Sequence, residues 1–141
     1  RNFDTKKSDS LEKVFPKDES FKIPKANIAV LVGTAVSVTK PTKCGNVNVK
    51  TLWGYMAAQL GGEKAYALIK KDDVAGTAPG STSLIELFSK FGPAVIIIDE
   101  LSKYASNIYG KSSDGLNCSF ESLVTFCQSL QRLLKINQQI P

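Results

Sequence analysis

Residues 27–36 (Asn-Ile-Ala-Val-Leu-Val-Gly-Thr-Ala-Val) are apolar and β-branched at successive positions, with no polar alternation. Such a run predicts a strand buried on both faces of a parallel sheet. Residues 39–48 collect Pro41, Gly45, Asn46 and Asn48 and predict a loop. A helical period follows: Val49, Leu52, Trp53, Met56 and Leu60 form one apolar stripe. Gly61 and Gly62 end that helix, as a left-handed C-terminal residue does. Residues 63–72 predict a second short helix, and Gly76 to Gly80 a loop.

Ser83 and Glu86 have capping-box spacing at the head of a third helix, whose inner face is Leu84, Leu87, Phe88 and Phe91. Gly92-Pro93 closes it, and Ala94 to Ile98 predicts the second buried strand. Leu101, Tyr104, Ala105 and Ile108 set a helix directly behind that strand. Gly110 to Asn117 is a polar loop. A last helix opens near Ser119, with Leu123, Phe126, Cys127, Leu130, Leu133 and Leu134 inward.

Two apolar strands joined through helices predict an α/β fold, parallel strands with flanking helices and a right-handed crossover. A complete α/β sheet has about five strands, so this one looks unfinished on at least one side. Residues 1–24 are polar and Lys-rich, with Pro16 and Pro24, and read as a lead-in segment with at most one short helix; residues 25–141 read as the domain.

Composition narrows the classes. Hydrophobic residues at 43% and charged residues at 22% are an ordinary globular balance, and no apolar run approaches the ~20 residues of a membrane helix. The chain begins at Arg1 with no signal-peptide pattern, which suggests processing or excision from something longer. The net charge of +5 is spread along the chain, whereas a nucleic-acid surface gathers Lys and Arg on one face. There is no histidine, which removes Ser-His and Cys-His catalysis and the commonest zinc sites. Three widely spaced cysteines, Cys44, Cys118 and Cys127, suit a reducing cytoplasm better than a disulfide framework. Cys127 falls on a helical apolar stripe and reads as core packing.

The chemical signal is the run from Ala94 to Glu100, an apolar strand ending in two acids. The carboxyl end of such a strand faces the crevice where open α/β sheets bind ligands. There Asp99 would hold Mg²⁺, often through a bound water, and Glu100 would polarise the water that attacks a γ-phosphate. Adjacent carboxylates repel, and a divalent cation lets both stay ionised. The plainer reading is a core strand that ends in two surface acids, which suit a helix N-terminus electrostatically. Gly110-Lys111-Ser112 spells the end of a phosphate-binding loop, yet position 105 is Ala105 and the preceding segment is helical, so it reads as a surface turn. No other Gly-Lys-Ser/Thr occurs in the chain.

Val32-Gly33-Thr34, the run from Val49 to Gly62 (Val-Lys-Thr-Leu-Trp-Gly-Tyr-Met-Ala-Ala-Gln-Leu-Gly-Gly), Ala78-Pro79-Gly80-Ser81, and Ile98-Asp99-Glu100 followed by Tyr104 form a set. From residue 25 onward the chain resembles the domain-of-unknown-function 499 family of AAA+ P-loop ATPases. The resemblance implies a partial P-loop NTPase core of the AAA+ (ASCE) kind, in a large prokaryotic protein. It implies ATP and Mg²⁺ as cofactors, with Asp99 and Glu100 at the Walker-B positions. It also implies a phosphate loop upstream of Arg1, a polar sensor residue on a strand downstream of Pro141, and a DNA-methyltransferase-like partner in phage defence. Residues 27–36 take the place of the extra strand that such ATPases insert before Walker B.

On this reading the chain is an internal piece of the ATPase and hydrolyses ATP negligibly by itself. The alternative is a non-enzymatic interaction module. A receiver-like domain holding Mg²⁺ at Asp99 needs more strands than the sequence offers. Trp53 reads as core rather than as a base-stacking residue, and direct nucleic-acid contact stays open. Thr34 and Ser37 face either a nucleotide or a turn; Lys40, Lys43 and Lys50 surround the loop after the first strand. The strand carrying Asp99 should have one bare edge, which implies self-association, aggregation or a cover such as residues 1–24.

Overall fold

The computed structural model describes residues 25–138, and side chains as far as residue 133. It is a mixed α/β arrangement whose central feature is a parallel strand pair, β1 (Asn27–Val32) and β4 (Ala94–Asp99). Asn27 lies opposite Ala94 and Val32 opposite Asp99, so both strands end at the same level. Between them lie β2 (Thr42–Cys44), β3 (Val47–Val49), α1 (Leu52–Ala67), α2 (Lys70–Ala75) and α3 (Ser81–Phe91); α4 (Leu101–Ile108) and α5 (Phe120–Gln138) follow.

The expected three helices between the strands are present, but residues 39–48 are not a plain loop. Thr42–Cys44 and Val47–Val49 pair antiparallel across Gly45-Asn46, with Gly45 at φ +60°. A glycine-asparagine pair between two alternating triplets is a hairpin signal. Val49 is buried as expected, though as a strand residue that packs with Val47 near Ala58 and Tyr66. The first strand stops at Val32, four residues earlier than the apolar run, because the chain turns at Gly33.

In α1, Thr51 caps the N-terminus by accepting from the Gly54 N–H at 3.1 Å. Gly61 and Gly62 leave helical geometry where a stop was expected, with Gly62 at φ +62°, and helical turns then resume to Ala67. The expected 63–72 helix is therefore split at Leu68-Ile69 between α1 and α2. The capping box does not form: α3 starts at Ser81 after Gly80, Ser83 is already inside it, and Glu86 pairs with Lys90 at 2.7 Å. Gly110-Lys111-Ser112 is an exposed turn, as expected.

The core lies on one side of the parallel pair. Ala29 and Leu31 of β1 meet Leu52, Trp53, Met56 and Leu60 of α1, Leu84 and Leu87 of α3, Tyr104 and Ile108 of α4, and Leu123, Phe126 and Leu130 of α5. Trp53 is fully buried, its ring 5.4 Å from that of Phe126, as the core reading requires. The expectation of strands buried on both faces fails. Val30, Val95 and Ile97 are 38%, 46% and 48% exposed, because the helices fill only the Ala29–Leu31 side.

The two edges of the pair differ. The Gln59 side chain, from α1, accepts from the Val30 N–H at 2.9 Å and donates to the Val30 carbonyl at 2.8 Å, as a neighbouring strand would. Along β4, the carbonyls of Pro93 and Asp99 accept from Asn27 and Gly33. Alternation then turns the backbone groups of Ala94, Ile96 and Ile98 to the other edge, where no strand pairs with them among the described residues. Among the described residues that edge is bare, as expected. The suggested cover, residues 1–24, lies outside the described residues, as do the Leu134 side chain and its expected inward position.

Candidate functional site

The equal ends of β1 and β4 bring Gly33-Thr34 beside Asp99-Glu100. The Gly33 N–H donates to the Asp99 carbonyl at 2.9 Å, continuing the ladder one step past Val32. A Cβ at position 33 would collide with the Glu100 carbonyl, so glycine is required for the strand ends to close. Glu100 sits at φ 52° and ψ 33°, the left-handed region, and is the one non-glycine there among the described residues. Its carbonyl accepts from Lys103 N–H at 3.1 Å and Tyr104 N–H at 3.4 Å, which starts α4. A sharp strand-to-helix turn therefore lifts the Glu100 side chain off the sheet.

The Glu100 N–H donates to Asp99 Oδ1 at 2.8 Å, and the Thr34 hydroxyl donates to Glu100 Oε2 at 2.6 Å, the length of a bond to a charged acceptor. Thr34, Asp99 and Glu100 are all exposed. One oxygen of each carboxylate, Asp99 Oδ2 and Glu100 Oε1, has no hydrogen-bond partner among the described residues. No group of three or more acids, histidines or cysteines gathers there or elsewhere among the described residues. This donor set fits Mg²⁺, which takes one or two carboxylates and completes its shell with water and phosphate oxygens. It does not fit a cation held by protein alone.

Of the other sequence candidates, Thr34 joins the site through Glu100. Ser37 serves a turn, its oxygen accepting from Thr39 N–H at 3.3 Å and Lys40 N–H at 3.1 Å. Lys40, Lys43 and Lys50 lie on and beside the β2–β3 hairpin, with no bond to Asp99 or Glu100 among the described residues. The three thiols are free, and burial pushes each above its ordinary value, so none is an activated nucleophile.

Sequence reasoning missed a second acidic centre. Asp73, in α2, is 0% exposed and accepts from Lys50 N–H (3.1 and 3.0 Å), Thr51 N–H (2.9 Å), Thr51 O–H (2.6 Å) and Tyr66 O–H (2.7 Å). It fastens the hairpin exit, the start of α1 and α2 together, and a Cβ on Gly54 would strike its carboxylate. Burial, and then Asp73, push the Tyr66 hydroxyl well above its ordinary value. Nothing in Lys70-Lys71-Asp72-Asp73 distinguishes this acid from a solvated one.

The family model described as DUF499 N-terminal domain matches residues 6–140, taking in most of the polar lead-in as well as the strands and helices above. No curated protein and no solved structure matches the chain.

Proposed function

The chain belongs to the DUF499 family, the match to its N-terminal domain covering residues 6–140, and we propose that it supplies the Mg²⁺-holding and water-activating acids of an AAA+-type ATP hydrolase. One observation supports this above others: β1 and β4 end together, so that Asp99 and Glu100 leave the carboxyl end of a parallel pair with Thr34 gripping Glu100 at 2.6 Å. The carboxyl ends of parallel strands are where open α/β sheets take their ligands.

In this reading Asp99 would hold Mg²⁺ through its free oxygen. Glu100, held at one oxygen by Thr34, has the other available to align and polarise the attacking water. The left-handed turn at Glu100 fixes where that carboxylate stands before any ligand arrives. Mg²⁺ supplies charge neutralisation at the phosphates when bound. The phosphates themselves are gripped by residues outside this chain, which has no Gly-x4-Gly-Lys-Ser/Thr.

The test is ATP hydrolysis by the full-length gene product and its Glu100→Gln variant, with nucleotide binding measured in parallel. Turnover is expected to fall while ATP binding persists, and the isolated chain is expected to show none. Equal turnover in parent and variant would leave Asp99 and Glu100 as surface acids and favour a non-enzymatic module.

A further inference from the structure

Lys40, Lys43 and Lys50 take no part in the strand-end site, yet the β2–β3 hairpin sets them along one ribbon. Lys40 stands before its entry, Lys43 in its first strand and Lys50 just past its exit. The pairing is antiparallel, with Lys43 opposite Asn48, and side chains alternate across such a ribbon. Val47 and Val49 are buried, packing near Ala58 and Tyr66, so Lys43 and Asn48 share the outward face, where both are exposed. Lys40 and Asn46 are exposed as well, and Lys50 is half-buried. No Asp or Glu occurs from residue 25 to residue 62. Among the described residues, no carboxylate forms an ion pair with any of the three lysines.

We propose that the outward face of this hairpin docks on the phosphate backbone of duplex DNA, by charge and shape rather than by sequence. Lysine ammonium and asparagine amide groups are donors to phosphate oxygens, and this face offers them with no acid to repel the backbone. The exposed residues from 39 to 48 include no aromatic or long aliphatic side chain. A membrane surface needs an apolar face to insert, a protein partner needs buried anchors, and a single strand needs aromatic rings to stack on. The ribbon offers none of these. A two-stranded ribbon fits the major groove of B-form DNA, about 12 Å wide, whereas the deep, narrow groove of A-form RNA does not admit it. Both ends of the ribbon are tied down. The Asn117 side chain donates to the Ser37 and Lys40 carbonyls at 3.0 and 2.9 Å, and buried Asp73 accepts from the Lys50 N–H. The charges are thus presented in place, at little ordering cost on binding.

Titrating a short, fluorescein-labelled DNA duplex of mixed sequence with the full chain, read by fluorescence anisotropy, tests the proposal. Three lysine–phosphate contacts give log K a slope of about −2.7 against log salt, so binding should weaken roughly fortyfold between about 50 and 200 mM NaCl. Lys43→Gln should flatten that slope by about 1, and Lys43→Arg should keep it. Replacing Lys40, Lys43 and Lys50 together by Gln should weaken binding roughly tenfold or more at the lower salt, with the circular dichroism spectrum unchanged. Lys43→Gln, a single exposed change, decides the matter should the triple variant fail to fold. Glu100→Gln should bind the duplex as the parent does, so the outcome is separate from that of the hydrolysis test. The proposal is overturned by no anisotropy change at about 100 µM chain, or by a slope that Lys43→Gln leaves intact. Equal weakening on replacing Lys90 and Lys103, which lie on α3 and α4, overturns it too. So does tighter binding to phosphatidylserine vesicles, or to the single strand, than to the duplex.

Discussion

Asp73 and Glu100 both stand where the chain changes direction, and they are held in opposite ways. Asp73 has four donor groups around it and no contact with solvent. Glu100 is exposed, takes a single side-chain bond from Thr34, and holds a left-handed backbone that glycine would adopt without strain. Replacing a buried carboxylate whose hydrogen bonds are complete breaks the structure around it. An exposed carboxylate with a free oxygen, fixed in an unfavourable conformation, adds little to stability and is available to a ligand. The hairpin–α1–α2 corner is thus built for permanence, and the strand ends leave two carboxylates open to a ligand.

The largest effect that tests this contrast is at Asp73. Alanine there strands four donors, three of them buried, and urea unfolding followed by circular dichroism should show a loss of about 4 kcal/mol. A loss below about 1 kcal/mol would erase the distinction. Glu100→Gln should leave stability within about 0.5 kcal/mol, while turnover of the full-length protein falls by about 10²-fold or more. Gln59→Leu removes the two bonds that close the β1 edge. It should cost about 1 kcal/mol and make sedimentation concentration-dependent, since an unprotected edge invites pairing.

The smallest effect near neutrality is alkaline. Burial pushes the Tyr66 and Tyr104 hydroxyls above their ordinary value of 10.0, so the folded state favours their protonated forms. Their contribution is complete below that value and declines as pH rises past it, because the unfolded chain then releases protons more readily. Thermal midpoints should fall above pH 10, and Tyr66→Phe should make the decline shallower.

Much of the frame was legible because it follows from periodicity. Leu52, Trp53, Met56 and Leu60 repeat with a helical period and are buried; Ala94 to Ile98 is a strand and pairs parallel with residues from 27 onward. What failed has physical causes. A β-branched run signals a strand without saying whether both faces find cover, so Val95 and Ile97 were expected inside. Residues 39–48 read as a loop in sequence because the triplets flanking Gly45-Asn46 are short. Ser83 has capping chemistry, but Gly80 already turns the chain into the helix three residues earlier. At the candidate site the acids were visible as a pair ending a strand. Thr34 is ambiguous because its role depends on strand register, and Asp73 is invisible because three of its four donors come from residues more than twenty positions away.

The packing of Trp53 against Phe126 joins the first long helix to the last, and Trp53 is the chain's single tryptophan. The ring is fully buried and its indole N–H has no partner among the described residues, so emission from the native chain should be blue-shifted. The molecule therefore carries its own optical probe: a red shift on excitation at 295 nm, a wavelength at which tyrosine absorbs little, would report the parting of α1 from α5 without any label being attached.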